Sequence, residues 1–136
     1  MPGGPGPSGC RVRRNEIFMN VQDNCIFCKI VAGQIPSRKV YEDDDMMAFH
    51  DIHPKAPVHL LVIPKSHVDS LADCGAGEGE VLARMMLKVP ELARAAGCGN
   101  GFRTVINTGP DGGQEIYHLH LHVLGGPRHE WKGPLP

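Results

Sequence analysis

Hydrophobic and polar residues follow two different periods along the chain, and each period predicts a different kind of element. Helical spacing of apolar residues predicts a short helix over 25–33 and a long helix over 78–96. Pro90 lies inside the long helix and predicts a kink or a break there. Alternation and short apolar runs predict five strands, over 35–43, 46–52, 58–64, 102–107 and 115–126. Mostly consecutive strands with few helices favour an α+β fold around an antiparallel sheet.

The N-terminal segment has a different composition from the rest. Residues 1–9 are almost all proline and glycine, and such a segment buries too little apolar surface to offset its ordering entropy. We therefore expect residues 1–22 to be a disordered leader and residues 23–136 to form a single domain. Met19 stands just before the first predicted helix, so the sequence is compatible with a native leader and with a non-native extension.

Composition excludes several classes of protein. The 136 residues are 41% hydrophobic and 21% charged, and the net charge is -1. This balance is typical of a globular protein and predicts neither a nucleic-acid partner nor a membrane partner. Five cysteines are an odd number, which favours a reducing compartment. No apolar run is long enough to span a bilayer or to serve as a signal peptide, so we expect a cytoplasmic protein.

Three histidines alternate with apolar residues in the last predicted strand, at positions 118, 120 and 122. Alternate residues of a strand share one face, so the three imidazoles are expected to lie together. Three interpretations follow from the residues alone: a solvent-exposed face, a three-histidine metal site, or a nucleophile with supporting histidines.

Two segments carry a resemblance that decides among these interpretations. The segment "DGGQEIYHLHLHVLGG" and the earlier "IFCKIVAGQIPSRKVYEDDDMMAFHDIHPKAPVHLLVIPKSH" resemble the histidine-triad (HIT) superfamily in order and spacing. The resemblance covers residues 24–131 and is strongest to the nucleotide-binding, purine nucleoside phosphoramidase branch of bacterial type. It implies a HIT-like fold, a five-stranded antiparallel sheet with one short and one long helix. It also implies a homodimer that joins two sheets into one of ten strands.

The resemblance implies a separate role for each of four histidines. His120 would attack the α-phosphate of a nucleoside 5′-phosphoramidate and form a nucleotidyl-histidine, which water then hydrolyses. The backbone carbonyl of His118 would hold the proton on the other nitrogen of His120. His122 would donate to a phosphate oxygen and to the scissile link. His59 would extend the proton relay behind His118.

The resemblance also implies a nucleotide-binding set around these histidines. Asp51 would bind the ribose hydroxyls through charge-assisted hydrogen bonds. The base would lie against apolar side chains that could equally be ordinary core, and His50 is either a pocket residue or a surface residue. Glu115 stands where many relatives have serine and would influence the leaving group. The full set is Asp51, Ile52, Phe27, Phe49, His50, Asn107, Gly113, Gln114 and Glu115, in which Gly113 and Gln114 would offer backbone N–H groups to phosphate.

The C-x2-C pair Cys25 and Cys28 has two interpretations. Some bacterial members of the superfamily hold a structural zinc ion with this pair, and the resemblance implies the set Cys25, Cys28, His59 and His118. The alternative is a pair of reduced cysteines on the first helix. No cofactor is expected to be required for catalysis.

The expected function is hydrolysis of the P–N bond in nucleoside 5′-phosphoramidates, with a purine nucleoside monophosphate or its phosphoramidate as ligand. One alternative is a dinucleoside polyphosphate hydrolase or nucleotidyltransferase of the same superfamily. Another is a nucleotide-binding regulatory module with vestigial catalysis. The long helix and the tail near Trp131 are expected at the dimer interface, with the tail reaching the partner's active site.

Overall fold

The computed structural model describes residues 10–14 and 17–136, and it describes side chains from residue 21 onwards. Within these described residues there are two α-helices and seven strands, namely α1 (Ile26–Val31), α2 (Gly79–Ala95), β1 (Cys10–Arg14), β2 (Ile17–Val21), β3 (Lys39–Glu42), β4 (Met46–His50), β5 (Val58–Pro64), β6 (Phe102–Val105) and β7 (Leu121–Gly125). Five of the strands form one sheet in the order β3-β4-β5-β7-β6, and every neighbouring pair is antiparallel. This confirms the predicted α+β class and the five-stranded antiparallel sheet.

Alternate residues of β4 and β5 point to opposite faces of the sheet. A long helix covers one face and a short helix covers the other, so the two faces are covered unequally. Leu60 and Val62 pack with Met85 and Val89 of α2, in a core cluster that also contains Leu121 and Val123. The intervening residues of the same strands pack instead against the short helix α1, in a second cluster that contains Phe27, Ile30, Met47, Phe49, Leu61 and Ile63. The helix α1 is too short to cover the whole of this face of the sheet. The uncovered part carries His59, His120 and His122.

The long helix matches its prediction closely. Its buried residues Met85, Val89, Leu92 and Ala93 repeat at helical spacing. The helix continues through Pro90 without a break, contrary to one of the two outcomes expected there. The carbonyl that loses its donor belongs to Met86, whose side chain is 48% exposed, so water can satisfy it on that side. Among the described helices, none combines the length and the apolarity that a membrane span requires.

Part of the predicted leader has regular structure. β1 and β2 pair in antiparallel register, with Cys10 opposite Val21, and form a separate two-stranded sheet. Both strands lie within residues 1–22, the segment for which the sequence predicts a disordered leader. The domain boundary at residue 23 stays a prediction. The proline- and glycine-rich residues 1–9, and residues 15–16, lie outside the described residues.

The last strand is shorter than the predicted 115–126. It begins at Leu121, because β6 ends at Val105, which pairs with His122, and β5 pairs no further than Val62 with Leu121. The segment before it bonds elsewhere, and the N–H of Leu119 donates to the carbonyl of Val68 at 2.8 Å. The first two triad histidines consequently lie outside the ladder, on the segment that leads into β7.

Candidate active site

A cleft of about 910 Å³ opens on the face of the sheet that α1 covers. This volume suits a nucleotide-sized ligand. Most of the predicted site residues line it, namely Phe27, Phe49, His50, Asp51, Ile52, His59, Asn107, Gly113, Glu115, His120 and His122. His118, Gln114, Cys25 and Cys28 were also predicted to belong to the site, but they are buried behind the cleft wall. Eleven of the predicted residues therefore line one cavity, and four are buried outside it.

The backbone determines which nitrogen of His120 is reactive. Nδ1 lies 2.7 Å from the carbonyl oxygen of His118, and a carbonyl can only accept, so Nδ1 carries the proton. The lone pair is therefore on Nε2. Burial lowers the pKa of His120, although the hydrogen bond to the His118 carbonyl opposes the shift. The side chain is thus a neutral imidazole near pH 7 with one nitrogen available as a nucleophile.

Two successive hydrogen bonds, from Lys55 to His59 and from His59 to His122, determine which nitrogen of His122 carries the proton. The N–H of Lys55 donates to Nδ1 of His59 at 3.0 Å, which places the proton of His59 on Nε2. That nitrogen lies 2.9 Å from Nδ1 of His122, so His122 accepts there and keeps its own proton on Nε2. Burial, with the neighbouring His120 and His59, lowers the pKa of His122 to about 4. His122 is therefore a neutral hydrogen-bond donor.

His59 does not occupy the place predicted for it. The resemblance implied that it extends the relay behind His118, whereas the structure places it beside His122. The cause is the register of β5 and β7, in which Leu61 lies opposite His122 and His59 lies two residues before Leu61. Diagonal neighbours on one face of a sheet are close enough for long side chains to meet.

The position predicted for His59 in the zinc set is occupied by His67. Ligand atoms of Cys25, Cys28, His67 and His118 all lie within 4.8 Å of one another, and all four residues are buried. Nδ1 of His118 is 3.3 Å from Sγ of Cys25, and Nδ1 of His67 is 3.4 Å from Sγ of Cys28. His59 is excluded because it lies near the opposite end of β5, about 17 Å along the strand from Pro64. His67 lies only three residues after Pro64.

The chemistry of this cluster fits a tetrahedral metal ion. It offers two thiol sulfurs and two imidazole nitrogens, the usual Cys2His2 set of structural zinc. Nε2 of His118 donates to the carbonyl of Pro64 at 2.8 Å, and Nε2 of His67 lies 2.6 Å from Oδ1 of Asp69, so both Nδ1 lone pairs face the sulfurs. The hydrogen bond with the Cys28 thiol lowers the pKa of Cys25, despite burial, so the cluster favours a thiolate.

The nucleoside end of the cleft contains one carboxylate and several apolar walls. Oδ1 of Asp51 accepts from the N–H of His53 at 2.8 Å, and its Oδ2 lies 3.4 Å from Nε2 of His59. Phe27 and Phe49 meet edge to face with centroids 5.7 Å apart, and they line the cleft as well as belonging to the core. Ile52 is 82% exposed at the rim, where a flat ligand could cover it. Half-buried His50 lines the cleft, and burial lowers its pKa.

The glycine-rich loop before the triad contradicts one prediction. Gly113 and Gln114 were expected to offer N–H groups to phosphate, but these groups donate to the carbonyls of Pro110 and Gly109 at 3.1 and 3.0 Å. The side chain of Gln114 also holds the loop, since it accepts from the N–H of Gly109 and donates to the carbonyls of Asp69 and Ile116. Gln114 is therefore a buried brace of the loop, which its polar sequence context did not indicate.

Two residues that bond to the predicted site residues escaped the sequence analysis for different reasons. His67 had a usable signal, because a C-x2-C pair needs two further ligands and Asp69 two residues later is a suitable partner for a ligating histidine. Lys55 had none, because it contributes a backbone N–H to His59 rather than its side chain.

Known proteins resemble this chain in sequence and in fold. A family model described as "HIT domain" matches residues 32–129. Protein HitA of Neisseria gonorrhoeae is 58% identical over 105 residues, which are 77% of this chain and 98% of that protein. The crystal structure of a HIT family hydrolase from Legionella pneumophila is 48% identical with a TM-score of 0.74, over 76% of this chain and 94% of its own. A histidine triad protein from Clostridium difficile is 46% identical with a TM-score of 0.75, over 85% and 96%.

These matches cover most of this chain and nearly the whole of the relatives. They agree with the antiparallel sheet, and His120 and His122 line the cleft on its open face. Sequence, fold and site lead to one conclusion: the chain belongs to the HIT domain family.

Proposed function

We propose that the chain is a hydrolase that cleaves the P–N bond of nucleoside 5′-phosphoramidates of the adenosine monophosphoramidate type, through a covalent nucleotidyl-histidine. The observation that carries the proposal is a pair of complementary imidazoles. His120 has its lone pair on Nε2, His122 has its proton on Nε2, and the two rings lie 4.9 Å apart in the cleft. A nucleophile beside a proton donor is what displacement of an amine from phosphorus requires.

The reaction would proceed in two steps. Nε2 of His120 bonds to the α-phosphorus while the P–N bond of the substrate breaks, and the departing nitrogen takes the Nε2 proton of His122. Water then bonds to phosphorus, the P–N bond to His120 breaks, and a proton of the water returns to Nε2 of His122. Between the two proton transfers His122 would be an imidazolate, and the hydrogen bond that His59 donates to its Nδ1 would stabilise that charge.

The remaining cleft residues support the nucleotide class of the ligand. The carboxylate of Asp51 suits a ribose diol, and its anchoring bond from His53 fixes its position. Phe27, Phe49 and Ile52 supply an apolar surface for a base. Asn107 and Glu115 line the cleft on the side of the glycine-rich loop, where the phosphate and the leaving group would lie.

Zinc and a second copy of the chain complete the proposal. Cys25, Cys28, His67 and His118 would hold a structural zinc ion, which would stabilise the segment that carries His120 without being required for catalysis. A homodimer would cover the exposed residues of α2, where Leu87 is 71% and Met86 48% exposed.

The test is His120→Ala with an adenosine 5′-phosphoramidate. We expect kcat/KM to fall by about a thousandfold or more, because a covalent mechanism loses its nucleophile. Mass spectrometry of rapidly quenched parent protein should also show an added nucleotidyl group that is absent from the variant. His53→Ala removes an exposed imidazole at the same cleft and serves as the matched control.

Activity of His120→Ala within about tenfold of the parent would contradict the mechanism. A parent protein that cleaves diadenosine tetraphosphate faster than the phosphoramidate would instead favour a dinucleoside polyphosphate hydrolase. Nucleotide binding without turnover of either substrate would favour the regulatory module.

A further inference from the structure

The C-terminal residues 131–136, here named the strap, are fastened to the body of the domain. Nε1 of Trp131 donates to the carbonyl of Gly126 at 2.9 Å. The indole ring also contacts two guanidinium groups, with the Cζ of Arg128 at 4.6 Å and that of Arg103 at 5.4 Å from the ring centroid. Such cation–π contacts add to the hydrogen bond and hold the start of the strap in one place.

From this anchor the strap reaches the loop before β5. The N–H of Lys132 donates to the carbonyl of Lys55 at 2.7 Å. The same loop is confined on another side, since a Cβ placed on Gly126 would come within 2.8 Å of the Cβ of Pro57. Farther along, Pro134, Leu135 and Pro136 line the cleft of their own chain. The strap therefore touches the loop and the active-site cleft together.

Lys55 connects the strap to the histidine pair. Its carbonyl accepts from the strap, and its N–H donates to Nδ1 of His59 at 3.0 Å. A backbone N–H can only donate, so its position decides that His59 is protonated on Nε2. Asp51, whose Oδ2 is 3.4 Å from that nitrogen, favours the same tautomer more weakly at that longer distance.

The tautomer of His59 in turn decides what His122 can do. With its proton on Nε2, His59 donates to Nδ1 of His122 and leaves the Nε2 proton of His122 for the cleft. If His59 carried its proton on Nδ1 instead, its Nε2 would accept from Nδ1 of His122. His122 would then present a lone pair to the departing nitrogen and could not donate to it.

We propose that the strap is a positioning element of the active site, which holds the Lys55 peptide so that its N–H selects the His59 tautomer that keeps His122 a proton donor. Its effect on turnover rests on the function proposed above, whereas its effect on the tautomers does not. Lys55, Trp131 and Lys132 are accordingly positioning residues, and they act through His59.

The first test is the matched pair Lys55→Pro and Lys55→Ala. Proline removes the N–H, whereas alanine keeps it and removes only the side chain. Nitrogen-15 NMR of the histidine rings, recorded without substrate, distinguishes protonated from unprotonated ring nitrogens. We expect the parent and Lys55→Ala to show His59 and His122 protonated on Nε2. In Lys55→Pro part of the population should shift to Nδ1 on both residues.

Turnover of the phosphoramidate supplies a second readout. Lys55→Pro should lower kcat by about tenfold, as expected when a general acid is partly mispositioned. His120 is an internal control for folding, because its Nδ1 proton depends on the His118 carbonyl and should persist in both variants. Unchanged tautomers of His59 and His122 in a folded Lys55→Pro variant would overturn the proposal.

A second pair of variants tests the proposal if Lys55→Pro does not fold, which loss of the Nδ1 proton of His120 from its NMR spectrum would show. Lys132→Pro removes the N–H that binds the Lys55 carbonyl, and Lys132→Ala retains it. A shift of His59 toward Nδ1 in Lys132→Pro alone supports the strap, and identical spectra for the two variants overturn its role. If the tautomers shift as expected but the parent shows no phosphoramidate hydrolysis, the proposed function fails and the positioning role stands.

Discussion

Two groups of buried histidines meet at the segment that carries the triad, and they differ in the partner of each ring. In the cysteine cluster, His67 and His118 bond through Nε2 to the oxygens of Asp69 and Pro64 and turn Nδ1 toward sulfur. In the cleft, His120 bonds through Nδ1 to a carbonyl and turns Nε2 outward. The same side chain becomes a metal-type donor or a nucleophile according to which nitrogen an oxygen binds.

Burial does not distinguish the two groups, because all five histidines involved are at most 7% exposed. The pKa shifts of His67, His120 and His122 do distinguish the two groups. Burial lowers the pKa of His122 and His120, and nothing outweighs it. Burial also lowers the pKa of His67, but its hydrogen bonds with Cys25 and Asp69 more than compensate and raise the pKa overall. The difference comes from the neighbouring groups. Cys25 and Asp69 raise the pKa of His67, whereas burial keeps His120 and His122 neutral.

The largest expected effect separates the two groups by function. His67→Ala should reduce bound zinc from about one equivalent to less than a tenth, because a Cys2His2 site loses a ligand. His59→Ala should keep the zinc and instead lower kcat by about tenfold to a hundredfold, because His122 loses its partner. Elemental analysis and phosphoramidate kinetics on both variants measure the contrast. Zinc lost from His59→Ala and kept by His67→Ala would reverse the assignment.

The next effect is on stability and pH. The pKa of His122 is about 4 in the folded chain and about 6.5 when unfolded, so the unfolded state binds more protons between these values. The contribution of His122 to the free energy of unfolding is therefore fully present above pH 6.5. It is lost, by about 3 kcal/mol, as the pH falls toward 4. His122→Gln should remove this part of the pH dependence in urea unfolding.

His53→Gln, which changes an exposed histidine, is the control for this measurement. The free energy of unfolding of each variant is compared with that of the parent near pH 4 and above pH 6.5. Protonation of the cysteine cluster affects parent and variant equally, so it cancels from the difference. A parent and a His122→Gln variant with the same slope would show that His122 is not held neutral by the fold.

A smaller effect is expected at the ring that touches both groups. Phe27 lies edge-on to His118 at 5.8 Å and to His120 at 5.2 Å between ring centroids. Phe27→Leu should lower the free energy of unfolding by about 1 kcal/mol through lost ring contacts and should lower kcat/KM. Phe102→Leu, at a 39% exposed position on β6, should change stability by less than about 0.5 kcal/mol. Equal effects of the two variants would show that the contacts of Phe27 with His118 and His120 contribute nothing specific to stability or activity.

The smallest effect concerns the leaving group. Glu115 is exposed and lines the cleft, so solvent screens its charge. Glu115→Ser and Glu115→Gln should each change the ratio of kcat/KM for cationic and neutral amine leaving groups by about threefold, against the cationic ones. Both variants remove the charge, and only glutamine keeps the shape. Unchanged ratios in both would exclude Glu115 from specificity.

The predictable part of this site consists of side chains whose positions follow from local periodicity. His120 and His122 lie together in the cleft, as the alternation predicted, whereas His118 belongs to the cysteine cluster. The cleft lining also contains most of the nucleotide-binding set that the resemblance implied. The failures have a common cause, because they concern partners that are distant in sequence. Gln114 braces a loop against Asp69, and the fourth residue of the cysteine cluster is His67 rather than His59.

The sequence by itself determined the α+β class, the two helices and the strands of the main sheet, because period-2 and period-3.6 patterns are local properties. Only the tertiary structure decided the protonation pattern. That pattern depends on which backbone carbonyl or N–H faces each ring, as the His118 carbonyl faces His120 and the Lys55 N–H faces His59. Such contacts follow from strand register and loop packing, which join residues that no short stretch of sequence contains together.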